Sequence, residues 1–137
     1  METQANVMTP LDAMKRINLI LAHAWMVRTF LKHAEEIQQD EELQEVHRTI
    51  FDYIRALEPS FQHQDVKEYL HRARGKLPKL KRAADFFARE HRRVSDHTNF
   101  EMAAASLSGC VQQIEEILAQ VERGGDRAIG DNTTSGA

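Results

Sequence analysis

The chain has 137 residues, 42% of them hydrophobic and 28% charged, with a formal net charge of -3. That length gives one domain with its own core, and the near balance of charge excludes recruitment to nucleic acid or membrane by bulk electrostatics. The single cysteine, Cys110, excludes an intrachain disulfide framework and fits a reducing, cytoplasmic setting.

Residues 1–9 read as a flexible tail with no basic stretch leading into an apolar run, so no secretory signal is expected. Thr9-Pro10-Leu11-Asp12 is a helix start, with Thr as N-cap, Pro at the first helical position and an acid in the first turn. Ala13, Ile17, Ile20, Ala24, Val27, Leu31 and Ala34 then recur at alternating spacings of four and three, which predicts a helix from Pro10 to about Gln38. Its most apolar run, Ile17 to Val27, is too short to cross a bilayer. Leu19, Trp25, Met26 and Phe30 fall outside the seam. They either thicken the core or lie against a second subunit.

Asp40 is placed to cap a second helix carrying Leu43, Val46, Ile50, Tyr53 and Leu57, with a stop expected at Glu58-Pro59. A third begins near Asp65 and keeps the same rhythm from Val66 to Val94. Gly75 and Pro78 interrupt it, and one helix kinked near Gly75–Pro78 is expected because the register survives the interruption. Thr98 followed by Glu101 matches a capping box, and Phe100, Ala103, Leu107, Cys110, Ile114, Ile117 and Val121 make a fourth seam. Gly124-Gly125 is the expected end, with 124–137 disordered. The fold class read from this is all-α, an antiparallel up-down-up-down four-helix bundle over residues 10–123.

Charge is segregated along the chain. Glu35 to Glu58 holds eight acids against two bases, and Asp65 to Asp96 holds ten bases against five acids. An anionic partner would meet the third helix at Arg72, Lys76, Lys79, Arg89 and Arg93. The favoured reading is that the basic helix complements its acidic neighbours, since no interleaved surface aromatics accompany the bases.

Histidines supply the remaining chemistry. If the turns near Gln39 and Ser95 share one end of the bundle, His33, His47, His91, Asp96 and Glu101 come within roughly two turns of one another at ~1.5 Å rise per residue. Imidazoles and carboxylates at one level suit a transition metal or di-iron site. His91 to Asp96 and His47 to Asp52 both have His-x-x-x-x-Asp spacing, which is similar to the last ligand pair of hemerythrin-like oxygen-binding bundles. The chain has no His-x-x-x-His pair, and the ferritin-like Glu-x-x-His motif occurs once, at Glu68 and His71. The run His71-Arg72-Ala73-Arg74-Gly75 resembles the His-x-x-Lys-Gly motif of histidine phosphotransfer domains, with Arg74 in place of the lysine. That resemblance implies a phosphoryl acceptor at His71, a charge-steadying Arg74, and access for a partner at Gly75. The flanking patterns differ from that family's, and Pro78 follows closely.

The function read first from the sequence is a small interaction or structural protein. It self-associates or binds a protein partner through Leu19, Trp25, Met26 and Phe30, with no membrane and no cofactor. The metal-binding and phosphotransfer readings stand behind it, and no serine or cysteine constellation marks it as an enzyme.

Overall fold

Thr9 opens the first helix as its sequence predicts. Its hydroxyl accepts the Asp12 N–H at 3.1 Å, and α1 runs Pro10–His33. The computed structural model describes the backbone of residues 8–136 and the side chains of residues 8–121, so most of the expected N-terminal tail lies outside the described residues. The helix ends before the expected Gln38, because Ala34 is extended (φ -76, ψ 123). A single turn, α2, then covers Glu35–Gln38. The step drops Ile37 fully into the core, and the Gln38 side-chain amide donates to the freed Lys32 carbonyl at 3.0 Å.

Asp40 caps α3, Glu41–Gln62, by accepting the Leu43 N–H at 2.9 Å. The helix continues past Glu58-Pro59, where the sequence reading ends it. Pro59 and Arg55 are both exposed, so the carbonyl deprived of its N–H partner lies on the solvent side. Termination comes instead at Gln64, which adopts a left-handed φ of 55. The Asp65 N–H returns to the Ser60 carbonyl at 2.8 Å and the Gln64 N–H to Phe61 at 3.1 Å. These paired bonds are a Schellman closure with glutamine in the position that glycine prefers. Asp65 also caps the next helix, its carboxylate accepting the Glu68 N–H at 3.1 Å.

That next helix, α4, is one element over Val66–Glu90 and passes through Gly75 and Pro78. The heptad rhythm that reached Val94 ends earlier as α-helix: His91–Arg93 form a 3₁₀ turn. The last helix, α5, spans Thr98–Gly136 and continues past Gly124-Gly125. Glycine weakens a helix by about 1 kcal/mol without forbidding it. His97 stands in the capping position expected of Thr98, and its Nδ1 accepts the Asn99 N–H at 3.0 Å.

Among the described residues every regular element is helical, there is no strand, and no helix is long and apolar enough to cross a membrane. α1 lies against α3 and α5, and α4 lies against the same two. The seam residues meet in one core, where Ile17, Leu31, Leu43, Ile50, Leu57, Leu80, Phe87, Leu107 and Ile114 are essentially fully buried. Each such side chain contributes roughly 1.5–3 kcal/mol by leaving water. Tyr53 ties α3 to α4 by donating its hydroxyl to the Ala73 carbonyl at 2.9 Å. Burial pushes the Tyr53 and Tyr69 phenols well above their ordinary range.

Candidate functional site

The expected metal ligands do not converge. His33 is exposed at the end of α1, and Asp96 and Glu101 are exposed around the start of α5. His91 is 5% exposed, 5.7 Å from the Phe87 ring, with Nδ1 lacking any hydrogen-bond partner. His47 is half-buried, and its pKa is lowered by burial first and then by the Arg48, Arg28 and Lys32 charges. An imidazole among three cations is a poor neighbour for a metal ion. No group of three or more His, Cys, Asp or Glu side chains is placed to hold a metal among the described residues.

The phosphotransfer residues are partly arranged as that resemblance implies. His71 and Gly75 are exposed on α4, and a side chain added at Gly75 would meet open space. Arg74 turns inward and is half-buried, its Nε without a partner. The neighbouring Arg72 is held by Glu68 at 3.0 Å.

Three of the ten bases between Asp65 and Asp96, Arg72, Lys81 and Arg93, are engaged by acids among the described residues. Arg93 reaches Asp40 at 3.0 Å, Glu42 at 3.6 Å and Glu90 at 3.0 Å, which staples the end of α4 to the start of α3. Lys81 meets Glu115 of α5 at 3.0 Å. Lys76 and Lys79 line a groove with Asp52, Thr49 and Tyr53, while Arg89 is exposed.

The four residues of the expected contact face divide into two pairs. Leu19 and Met26 point outward, 66% and 67% exposed. Trp25 and Phe30 are half-buried and meet neighbours within the chain. The Trp25 ring lies 6.0 Å from Phe51, with the Arg28 guanidinium 4.3 Å over its face. Phe30 meets Phe100 edge-on at 5.1 Å. Sequence reasoning missed Met102, which is 58% exposed on α5 and lines a groove with His23, Met26, Phe30, Asn99 and Ser106.

A second signal for this face was present in the sequence. Residues 17–27 of α1 and 102–114 of α5 contain no Asp, Glu, Lys or Arg, in a chain that is 28% charged. Both stretches include exposed positions, among them Leu19, Ala22, His23, Met26, Met102, Ala105 and Gln113. A helix face turned only toward water normally carries charge. Gly109 lies within the α5 stretch, and a side chain added there would meet nothing. Cys110 faces inward instead, its thiol donating to the Ile20 carbonyl at 3.8 Å, and burial raises its pKa. It is an inert core thiol.

The chain matches no known protein family, no curated protein and no solved structure.

Proposed function

We propose that this protein acts by contact rather than turnover, as a small helical interaction module that self-associates or binds a protein partner through the outer face of α1 and α5. The observation that carries the reading is the pairing of two charge-free stretches, 17–27 and 102–114, with Leu19, Met26 and Met102 exposed upon them. An apolar surface of this kind gains free energy by leaving water, and the charges around it set orientation.

The scaffold proposed for this face is an antiparallel up-down-up-down four-helix bundle. Its support is the cyclic packing of α1, α3, α4 and α5 together with the short turns at Ala34–Asp40 and His63–Asp65. The pairings Ile20–Cys110 and Phe30–Phe100 add to it, since residue number rises along α1 as it falls along α5. In this arrangement α4 bends at Pro78, which has no N–H to offer the Arg74 carbonyl.

Met26→Glu tests the reading. Met26 is exposed, so the variant retains its helix content and melting temperature, while association detected by concentration-dependent light scattering or partner capture weakens at least tenfold. Unchanged association would remove this face from the mechanism.

A further inference from the structure

We infer that the seam between α1 and α3 holds a binding site for a single phosphate group, free or carried by a small molecule, built from Arg28, Lys32 and His47 beside the rings of Trp25 and Phe51. The site goes beyond the contact reading above and is independent of it, since Leu19, Met26 and Met102 take no part.

Arg28 is the centre of the site. Trp25 and Arg28 are three residues apart on α1, and His47 and Phe51 are four apart on α3, so each pair shares one side of its helix. The Trp25 and Phe51 rings are 6.0 Å apart, and the Arg28 guanidinium lies 4.3 Å from the first and 5.1 Å from the second. Arg28 is half-buried, its Nε is buried without a hydrogen-bond partner, and no acid pairs with it among the described residues. The nearby arginines differ in this respect, with Arg48 held by Glu45 at 2.6 Å and Arg55 by Glu58 at 3.2 Å. Ring faces attract a guanidinium but accept no hydrogen bond along its plane. The fork of Arg28 is thus fixed by stacking while its charge stays uncompensated, and that planar fork matches a phosphate group.

Lys32 is exposed one turn beyond Arg28 and has no acidic partner among the described residues. His47 stands opposite, half-buried. The charges that face it are Arg48 and Glu45 from its own helix, and Arg28 and Lys32 from α1. Burial first, and then the three cations, hold its pKa below the ordinary value. A bound dianion reverses the electrostatic part of that shift, so binding draws a proton onto the imidazole. Phosphate monoesters keep their second negative charge above about pH 6. Near neutral pH the dianion therefore meets two uncompensated cations and an imidazole ready to become a third.

Acids frame the site and limit the ligand to one phosphate. Glu45 and Glu58 stand on either side of it along α3, about 20 Å apart at ~1.5 Å per residue, with Glu41 and Glu42 exposed beyond Glu45. A polyanionic strand would be carried onto these carboxylates, whereas a single phosphate stays between them.

NMR titration of the full chain tests the site, with phenyl phosphate, inorganic phosphate, benzoate and a single-stranded oligonucleotide as probes. Phenyl phosphate is expected to bind saturably, to shift the Trp25 indole and His47 ring signals, and to raise the His47 titration midpoint by ~1 pH unit. Benzoate is expected to bind more weakly. Arg28→Gln and Lys32→Gln each weaken phenyl phosphate by about tenfold, the loss of one charge-assisted hydrogen bond, while Lys76→Gln and Lys79→Gln on α4 leave it unchanged. Lys32 is exposed, so its variant reports on binding even where Arg28→Gln disturbs packing. Equal affinity for inorganic phosphate identifies the free ion as ligand, and tighter binding of the monoester identifies a small phosphorylated molecule; both support the site. Absence of saturable phosphate binding, or binding that ignores Arg28→Gln and Lys32→Gln, would overturn it. So would preferential binding of the oligonucleotide that falls steeply with salt, which would replace the single phosphate by a nucleic-acid strand.

Discussion

At the residue scale, two histidines set against a metal role carry testable consequences of another kind. His47 has its folded pKa below the ordinary 6.5, by burial and then by Arg48, Arg28 and Lys32. The unfolded chain therefore binds more protons between the two values, and stability rises with pH across that window. The contribution is complete above 6.5 and is lost as pH falls from there through the folded value. Urea unfolding at pH 7.5 and at 5.5 is expected to show this loss, and His47→Gln to reduce the difference. His91 is buried with Nδ1 unpartnered. A buried polar atom left unpaired costs roughly 1–3 kcal/mol, so His91→Leu is expected to be neutral or to raise the melting temperature. A loss of more than about 2 kcal/mol would show that the imidazole holds a partner. The sequence marked His91 as a seam position, and burial follows from that. Convergence with His33, His47, Asp96 and Glu101 did not follow, because it depends on helix rotation. Heptad spacing fixes which face is inward, and says nothing about where residues flanking that face point.

At the element scale, the helices were legible and several of their ends were not. Caps at Thr9, Asp40 and Asp65 announce themselves, since only a few side chains accept from a free helical N–H. The break at Ala34 was hidden because Ala34 and Ile37 continue the apolar rhythm across it. Pro59 misled in the opposite direction. Proline is tolerated there because α3 ends within a turn and the orphaned carbonyl is on the solvent side. The true stop, Gln64, carries no sequence signal, because glutamine is an unfavoured residue for a positive φ. Gln64→Gly removes that penalty and is expected to stabilise the fold by about 1 kcal/mol, a rise of several degrees in melting temperature. A destabilised variant would show that the Gln64 side chain contributes something its backbone conformation does not require.

At the scale of the whole molecule, charge is absent from the core, His91 aside, and from the stretches 17–27 and 102–114 of α1 and α5. The acidic and basic stretches of the sequence meet at Arg93, bridged to Asp40 and Glu42 across helices, while Lys81 reaches Glu115 of α5. Three of the ten bases read from the sequence are engaged in ion pairs among the described residues, and Lys76, Lys79 and Arg89 stay exposed. The face proposed for contact was half legible. Leu19 and Met26 stood out as apolar residues off the seam, whereas Met102 was obscured by the run of small residues that follows it. What identifies the face is a property of two segments 75 residues apart in sequence from Val27 to Met102. It becomes visible only when the fold sets them side by side. The turn at the other end of α3 has a different importance. Asp65 closes α3 with its backbone and opens α4 with its side chain. One residue thus serves as a shared hinge pin, and a local fluctuation that frees it unravels the end of one helix and the beginning of the next in a single event. The α3–α4 hairpin opens from that corner as one cooperative unit, and a protease cutting beside Gln64 finds both helix ends loose or neither.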